Sequence, residues 1–158
     1  MQKTITEIFE EMKKLDGNIK QILRHSEYEY ADDLSSVIFD YKDAEQLFLV
    51  DEMRSILQKL CGISHTINYL DRPIVAEGIL HKNSYGRYEI PEHEFTSGNG
   101  IEYLATDDLH CRYDEETGEY INVPYWCASR IEHNKTDYYI VGAEDIELEG
   151  LRVRIRIR

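Results

Sequence analysis

The stretch "LDRPIVAEGIL", residues 70–80, decides the fold, because the periodicity of the chain changes there. Upstream of it, Ile5, Ile8, Met12, Leu15, Ile19 and Ile22 step by three and four residues, which is the seam of one helix face. Thr4 and Glu7 have capping-box spacing, so the helix is expected to start there. The seam keeps its phase across the "DGN" of residues 16–18, which predicts one continuous helix through Gly17. A second seam runs through Leu47, Val50, Leu57, Leu60, Ser64 and Ile67, flanked by Phe48, Met53, Ile56 and Ile63. Between the two, Leu34, Val37, Ile38 and Tyr41 of "ADDLSSVIFDY" also have helical spacing, so residues 1–72 read as a helical hairpin or three helices. Pro73 ends the pattern, because a proline pushes the residue before it out of the helical region.

Downstream of Pro73 the period becomes two. Turn signals recur at "KNSYG" (82–86), "SGNG" (97–100), "EETG" (115–118) and "HNKTD" (133–137). Between them lie "IVAEGIL", "RYEI", "IEYLA", "HCRY", "EYINV", "YYIVG" and "LRVRIRI", short segments rich in β-branched and aromatic residues. This spacing predicts a small antiparallel β-barrel-like domain over residues 73–158. The expected class is α+β: long amphipathic helices over 1–72, then an all-β domain. In "DEETGE", residues 114–119, glycine stands where a left-handed residue is needed, which is the chemistry of a hairpin turn between "HCRY" and "EYINV".

Composition narrows the function. The 158 residues carry a net charge of −13, which disfavours general nucleic-acid binding because phosphates would be repelled. The charge is uneven: residues 73–149 hold 17 acids against 5 bases, whereas the terminal "GLRVRIRIR" holds four arginines and no acid. Three cysteines in no CxxC spacing, and no basic-then-apolar leader, predict reduced thiols and a cytoplasmic location. No apolar run approaches the roughly 18 residues that would cross a bilayer, so no membrane role is expected.

The second half is similar to a bacterial family, domain of unknown function family 5348, through "AEGILHKNSYGRYEI", "FTSGNGIEYL", "SRIEH", "DYYIVG" and "LEGLRVRIR". Members of that family occur in genomes rich in plasmids and mobile elements. The resemblance implies a kind of protein and transfers no activity, cofactor or catalytic residue.

Candidate chemistry is sparse. Asp107, Asp108, His110 and Cys111 cluster in sequence, but strand alternation points His110 and Cys111 to opposite faces, so no metal site is expected. A thiol–imidazole pair, Cys111 with His110 or Cys127 with His133, would need an orienting group and an electropositive setting that this acidic half lacks. No catalytic residue and no cofactor are expected. Tyr125, Trp126, Arg130 and His133 of "PYWCASRIEH" are the candidate partner-binding residues, since aromatic and arginine side chains dominate interface hot spots. The expected reading is that Trp126 anchors the β core and Arg130 pairs with a nearby acid, with partner binding by these residues as the alternative. In the tail, Arg152, Arg154, Arg156 and Arg158 alternate with apolar residues. They are expected to neutralise acids across the sheet and blunt its edge, with phosphate contact as the alternative.

The expected function is therefore a non-enzymatic binding or adaptor protein with an unknown protein partner and a helical seam able to form a homo-oligomer. Two alternatives are a nucleic-acid-associated barrel using the aromatics and the arginine strand, and an acidic inhibitor that occupies the nucleic-acid groove of a host nuclease.

Overall fold

The computed structural model describes residues 2–28, 34 and 37–157, and divides into two compact units, Met1–Arg72 and Pro73–Arg158. In the first unit, α1 spans Ile5–His25 and α2 spans Ala44–Asp71. Thr4 caps α1: its hydroxyl accepts from the Glu7 amide, and the Glu7 carboxylate accepts from the Thr4 amide at 2.7 Å. Gly17 lies inside α1, as its unbroken phase predicts. Asp43 caps α2 by accepting from the amides of Glu45 and Gln46. Arg72, ahead of Pro73, is extended, with φ −68° and ψ 138°. The helices run antiparallel, since Lys13 pairs with Asp71 at 3.0 Å while Leu23 and Leu57 share one core with Ile19, Leu34 and Val50.

Two α-helices, α1 and α2, are delimited among the described residues of this unit. Part of "ADDLSSVIFDY", residues 31–33, 35 and 36, lies outside them, and residues 37–40 take no helical conformation. Leu34 is buried with φ +57°, a left-handed value at odds with continuing a helix.

The second unit contains β1 (Ile74–Ile79), β2 (His81–Lys82), β3 (Tyr88–Ile90), β4 (His93–Glu94), β5 (Gly100–Ala105), β6 (Cys111–Asp114), β7 (Glu119–Asn122), β8 (Tyr125–His133), β9 (Tyr138–Ile140) and β10 (Arg152–Arg156). A five-stranded antiparallel sheet has the order β1-β10-β5-β8-β9, beside a three-stranded sheet β2-β3-β4 and a ribbon β6-β7. The expected barrel does not close: among the described residues the edge strands β1 and β9 pair with β10 and β8 and not with each other. Closure is unnecessary because Tyr88, Ile90 and Phe95 of the small sheet and its flank pack on the inner face, with Leu80, Ile101, Ile131, Ile140 and Val153, all at most 1% exposed. The small sheet approaches closely at Gly78, where a Cβ would stand 2.9 Å from Pro91 Cδ.

Between β6 and β7, the Gly118 amide donates to the Asp114 carbonyl at 2.8 Å with φ +73°, and Asp114 Oδ1 accepts from the Glu116 amide at 3.0 Å. The "DEETGE" segment is a hairpin turn.

Candidate functional site

Strand alternation builds two different faces on the large sheet. Val153, Tyr103 and Cys127 are cross-strand partners on the core face. One position along, Glu77, Arg154, Glu102 and Ala128 form a rung on the opposite face, across β1, β10, β5 and β8. Glu102 is only 3% exposed. A carboxylate this buried is tolerated only when its charge is answered. Its Oε2 accepts from Arg154 Nε, and its Oε1 accepts from Arg156 Nε at 2.6 Å. Beside this pair, Arg152 Nε donates to Glu77 at 2.9 Å. The Arg154 guanidinium lies 4.1 Å over the Trp126 ring, where the ring quadrupole attracts a cation.

The arginines of the terminal strand are thus placed against acids of β1 and β5, and Arg158 lies outside the described residues. Sequence reasoning noticed the arginines and missed Glu102, although "GIEYLA" places one acid in an otherwise apolar strand.

The four aromatic and basic residues of β8 do not converge. Trp126 and Arg130 share the Glu102 face, whereas Tyr125 and His133 share the face of Ile131. Trp126 is half-buried on the charged face and is no part of the β core. Arg130 pairs with Glu132 at 3.1 Å. The Tyr125 hydroxyl donates to Asp107 at 2.9 Å, and its ring meets His110 edge-on at 4.4 Å. Desolvation, reinforced by the Asp107 carboxylate and Cys127, pushes the Tyr125 phenol well above its ordinary value. His133 packs edge-on against Tyr138 at 4.8 Å and accepts from the Lys135 amide at 3.2 Å.

The sequence cluster at Asp107 resolves into local structure. Asp107 caps the short 3₁₀ turn Asp108–His110 by accepting from Leu109, and Cys111 is exposed at the start of β6. Among the described residues no three His, Cys, Asp or Glu side chains gather as metal ligands would. Cys127 and His133 stand six residues apart on one strand, about 20 Å at the rise of a β-strand.

The helical unit carries its own polar centre. Asp16 is 4% exposed between the helices. Its Oδ2 accepts from Lys20 at 2.6 Å and from Asn68 at 3.1 Å. Burial opposes the Asp16 charge, but the Lys20, Ser64 and Asn68 donors outweigh it and hold the carboxyl below its ordinary value. A groove of about 660 Å³ opens beside this centre, lined among others by Lys20, Arg24, Cys61, His65 and Arg72. In it Cys61 Sγ lies 3.9 Å from His65 Nε2, an i,i+4 pair that the sequence reading did not single out.

The predicted seams are only partly used inside the unit. Of the six α1 seam positions only Ile19 is buried, together with Leu23 outside the seam. On α2, Val50, Leu57, Ser64 and Ile67 are buried, while Leu49, Ile56, Ile63 and Leu70 are 44–57% exposed. At 3.6 residues per turn these four form a stripe adjacent to the α1 contact. On α1, Leu15 and Ile22, 54% and 49% exposed, flank the same contact. Because the helices are antiparallel and both right-handed, the two stripes fall on the same side of the hairpin, opposite the Lys20–His65 groove.

Fold and geometry together define an α+β chain whose antiparallel β unit carries a charge-paired sheet face. Residues 78–155 match the family described as "Domain of unknown function (DUF5348)", and over this stretch the chain belongs to that family. No curated protein and no solved structure shows a significant match to it. None of the helices among the described residues is long and apolar enough to cross a membrane.

Proposed function

We propose that the protein is a non-enzymatic, cytosolic binding or adaptor protein that works by protein–protein association. The observation that carries this reading is the apolar face of the helical unit. Leu15, Ile22, Leu49, Ile56, Ile63 and Leu70, each about half-exposed, leave about 600 Å² of apolar surface, the upper end of what a monomer typically exposes in one patch. Leaving such a face in water is unfavourable, so a protein surface is its natural cover. The tail gives the nucleic-acid alternative less support. Arg152, Arg154 and Arg156 already face Glu77 and Glu102, and a phosphate would have to displace those carboxylates.

The test is capture from a nuclease-treated extract of the native host, using the full chain and an Ile56→Glu/Ile63→Glu variant, read by quantitative mass spectrometry. Proteins retained by the wild type and lost from the variant are expected. Identical protein profiles for the two would overturn the reading. Recovery that depends wholly on nucleic acid would replace it with the nucleic-acid alternative.

A further inference from the structure

We infer that the α2 part of this apolar face, Leu49, Ile56 and Ile63, is covered by a second copy of this chain, with α2 packed antiparallel on α2 of the partner copy about a twofold axis at Ile56. This rests on the proposal above that the face binds protein, and it names the occupant.

Two features of the chain point to self-pairing. The first is spacing. Leu49 and Ile63 stand seven residues to either side of Ile56 and are exposed on the same stripe. A twofold axis at Ile56 therefore sets Ile56 against its own copy and Leu49 against Ile63 of the partner copy, twice. An isologous interface demands this reciprocity: where i meets j, j meets i.

The second feature is charge. Glu52 and Lys59 are exposed on the rim of that stripe away from α1, and neither has an ion-pair partner among the described residues. Their midpoint falls within one residue of Ile56. The same axis brings Glu52 of each copy level with Lys59 of the other. An unrelated partner would impose no such symmetry on the sequence.

The experiment is sedimentation equilibrium on the full-length chain across a concentration series. It compares the wild type with Ile56→Glu, Glu52→Lys, Lys59→Glu and the Glu52→Lys/Lys59→Glu double swap. Far-UV circular dichroism checks that each variant keeps its helices. A dimer is expected for the wild type. Each single swap creates two like-charge contacts per dimer and should weaken it by about fivefold or more. The double swap should restore wild-type affinity, and Ile56→Glu should be monomeric with its helices intact. A wild type that stays monomeric at about 100 μM, about a hundredfold above micromolar affinity, would overturn the inference. If that monomer still loses captured proteins on Ile56→Glu/Ile63→Glu substitution, the binding proposal survives and only the second copy fails. A dimer indifferent to both Ile56→Glu and the swaps would also overturn it.

Discussion

Removing the Glu102 carboxylate should unfold the β unit more readily than any surface ion pair could. Glu102 is 3% exposed, and its ion-paired partners Arg154 and Arg156 have side chains only 18% and 13% exposed. Glu102→Ala leaves two largely buried guanidinium groups without this carboxylate. Breaking a buried pair from one side typically costs about 3–5 kcal/mol. Trp126 still holds Arg154 through its ring, and both arginines reach partial solvent. We therefore expect about 2–4 kcal/mol, below the fully buried limit. Arg154→Ala should cost less, about 1–3 kcal/mol, because Arg156 continues to answer Glu102. The double variant should cost well under the sum, with a coupling of at least about 1.5 kcal/mol. Trp126 is the only tryptophan and lies under Arg154, so its fluorescence reports this unit alone during urea unfolding of the full chain. Arg154→Ala also removes the cation over that ring, so its midpoint is compared with one from near-UV circular dichroism. A coupling below about 0.5 kcal/mol, the range of exposed pairs, would refute the argument that burial gives this pair its weight.

Other substitutions test separate parts of the structure. Gly17→Ala should stabilise the helical unit by up to about 1 kcal/mol, since Gly17 is helical and its Cβ would meet nothing within 4 Å; a lower helical melting midpoint would contradict this. Gly78→Ala should destabilise by about 1–3 kcal/mol, because the new methyl would press on Pro91 Cδ at 2.9 Å and Ile90 Cβ at 3.1 Å; an unchanged urea midpoint would show that β3 yields. Asp16→Asn keeps an acceptor for Asn68 and loses the ion pair with half-exposed Lys20, for about 1 kcal/mol at pH 7. The Asp16 carboxyl is held low in the folded state, so its stabilisation exists above the unfolded carboxyl's value and fades as pH falls through the folded one. The gap between wild type and Asp16→Asn, read by helical circular dichroism in urea, should narrow from pH 7 to pH 3; a constant gap would contradict the assignment.

What the sequence disclosed was local. The Thr4–Glu7 box, the phase across Gly17, the stop before Pro73 and the turn at Gly118 each depend on a few neighbouring residues, and each is found as read. What it concealed depends on distant chain. An acid within an alternating strand looks solvent-facing, and Glu102 is buried only because β10, some fifty residues later, lays two arginines across it. The tail reading named the right arginines and an open-ended set of acids for the same reason. Trp126 looked like a core anchor because large aromatics usually are. Its parity on β8 sets it opposite Ile131, and that parity could not be fixed while the longest strand, Tyr125–His133, was read for its chemistry and not as a strand. The barrel was expected from strand spacing alone; spacing does not show that a second small sheet covers the inner face. Leu34 is the converse case, an apolar residue at helical spacing whose left-handed backbone no periodicity reveals.

The most direct test of the central claim, that the exposed stripe of α2 meets its own copy, is disulfide capture at the proposed axis. Cys61, Cys111 and Cys127 would first be replaced by Ser, leaving one introduced thiol per chain. Ile56→Cys would then be compared with Gln58→Cys, which lies on the other side of the same helix about 200° away. A disulfide requires the two Cα atoms to approach within about 7 Å, so only residues at a symmetry axis cross-link readily to themselves. Under mild oxidation, near-complete covalent dimer for Ile56→Cys and little for Gln58→Cys is the predicted result. Equal cross-linking at the two positions, or none at Ile56→Cys while the helices remain folded, would contradict it.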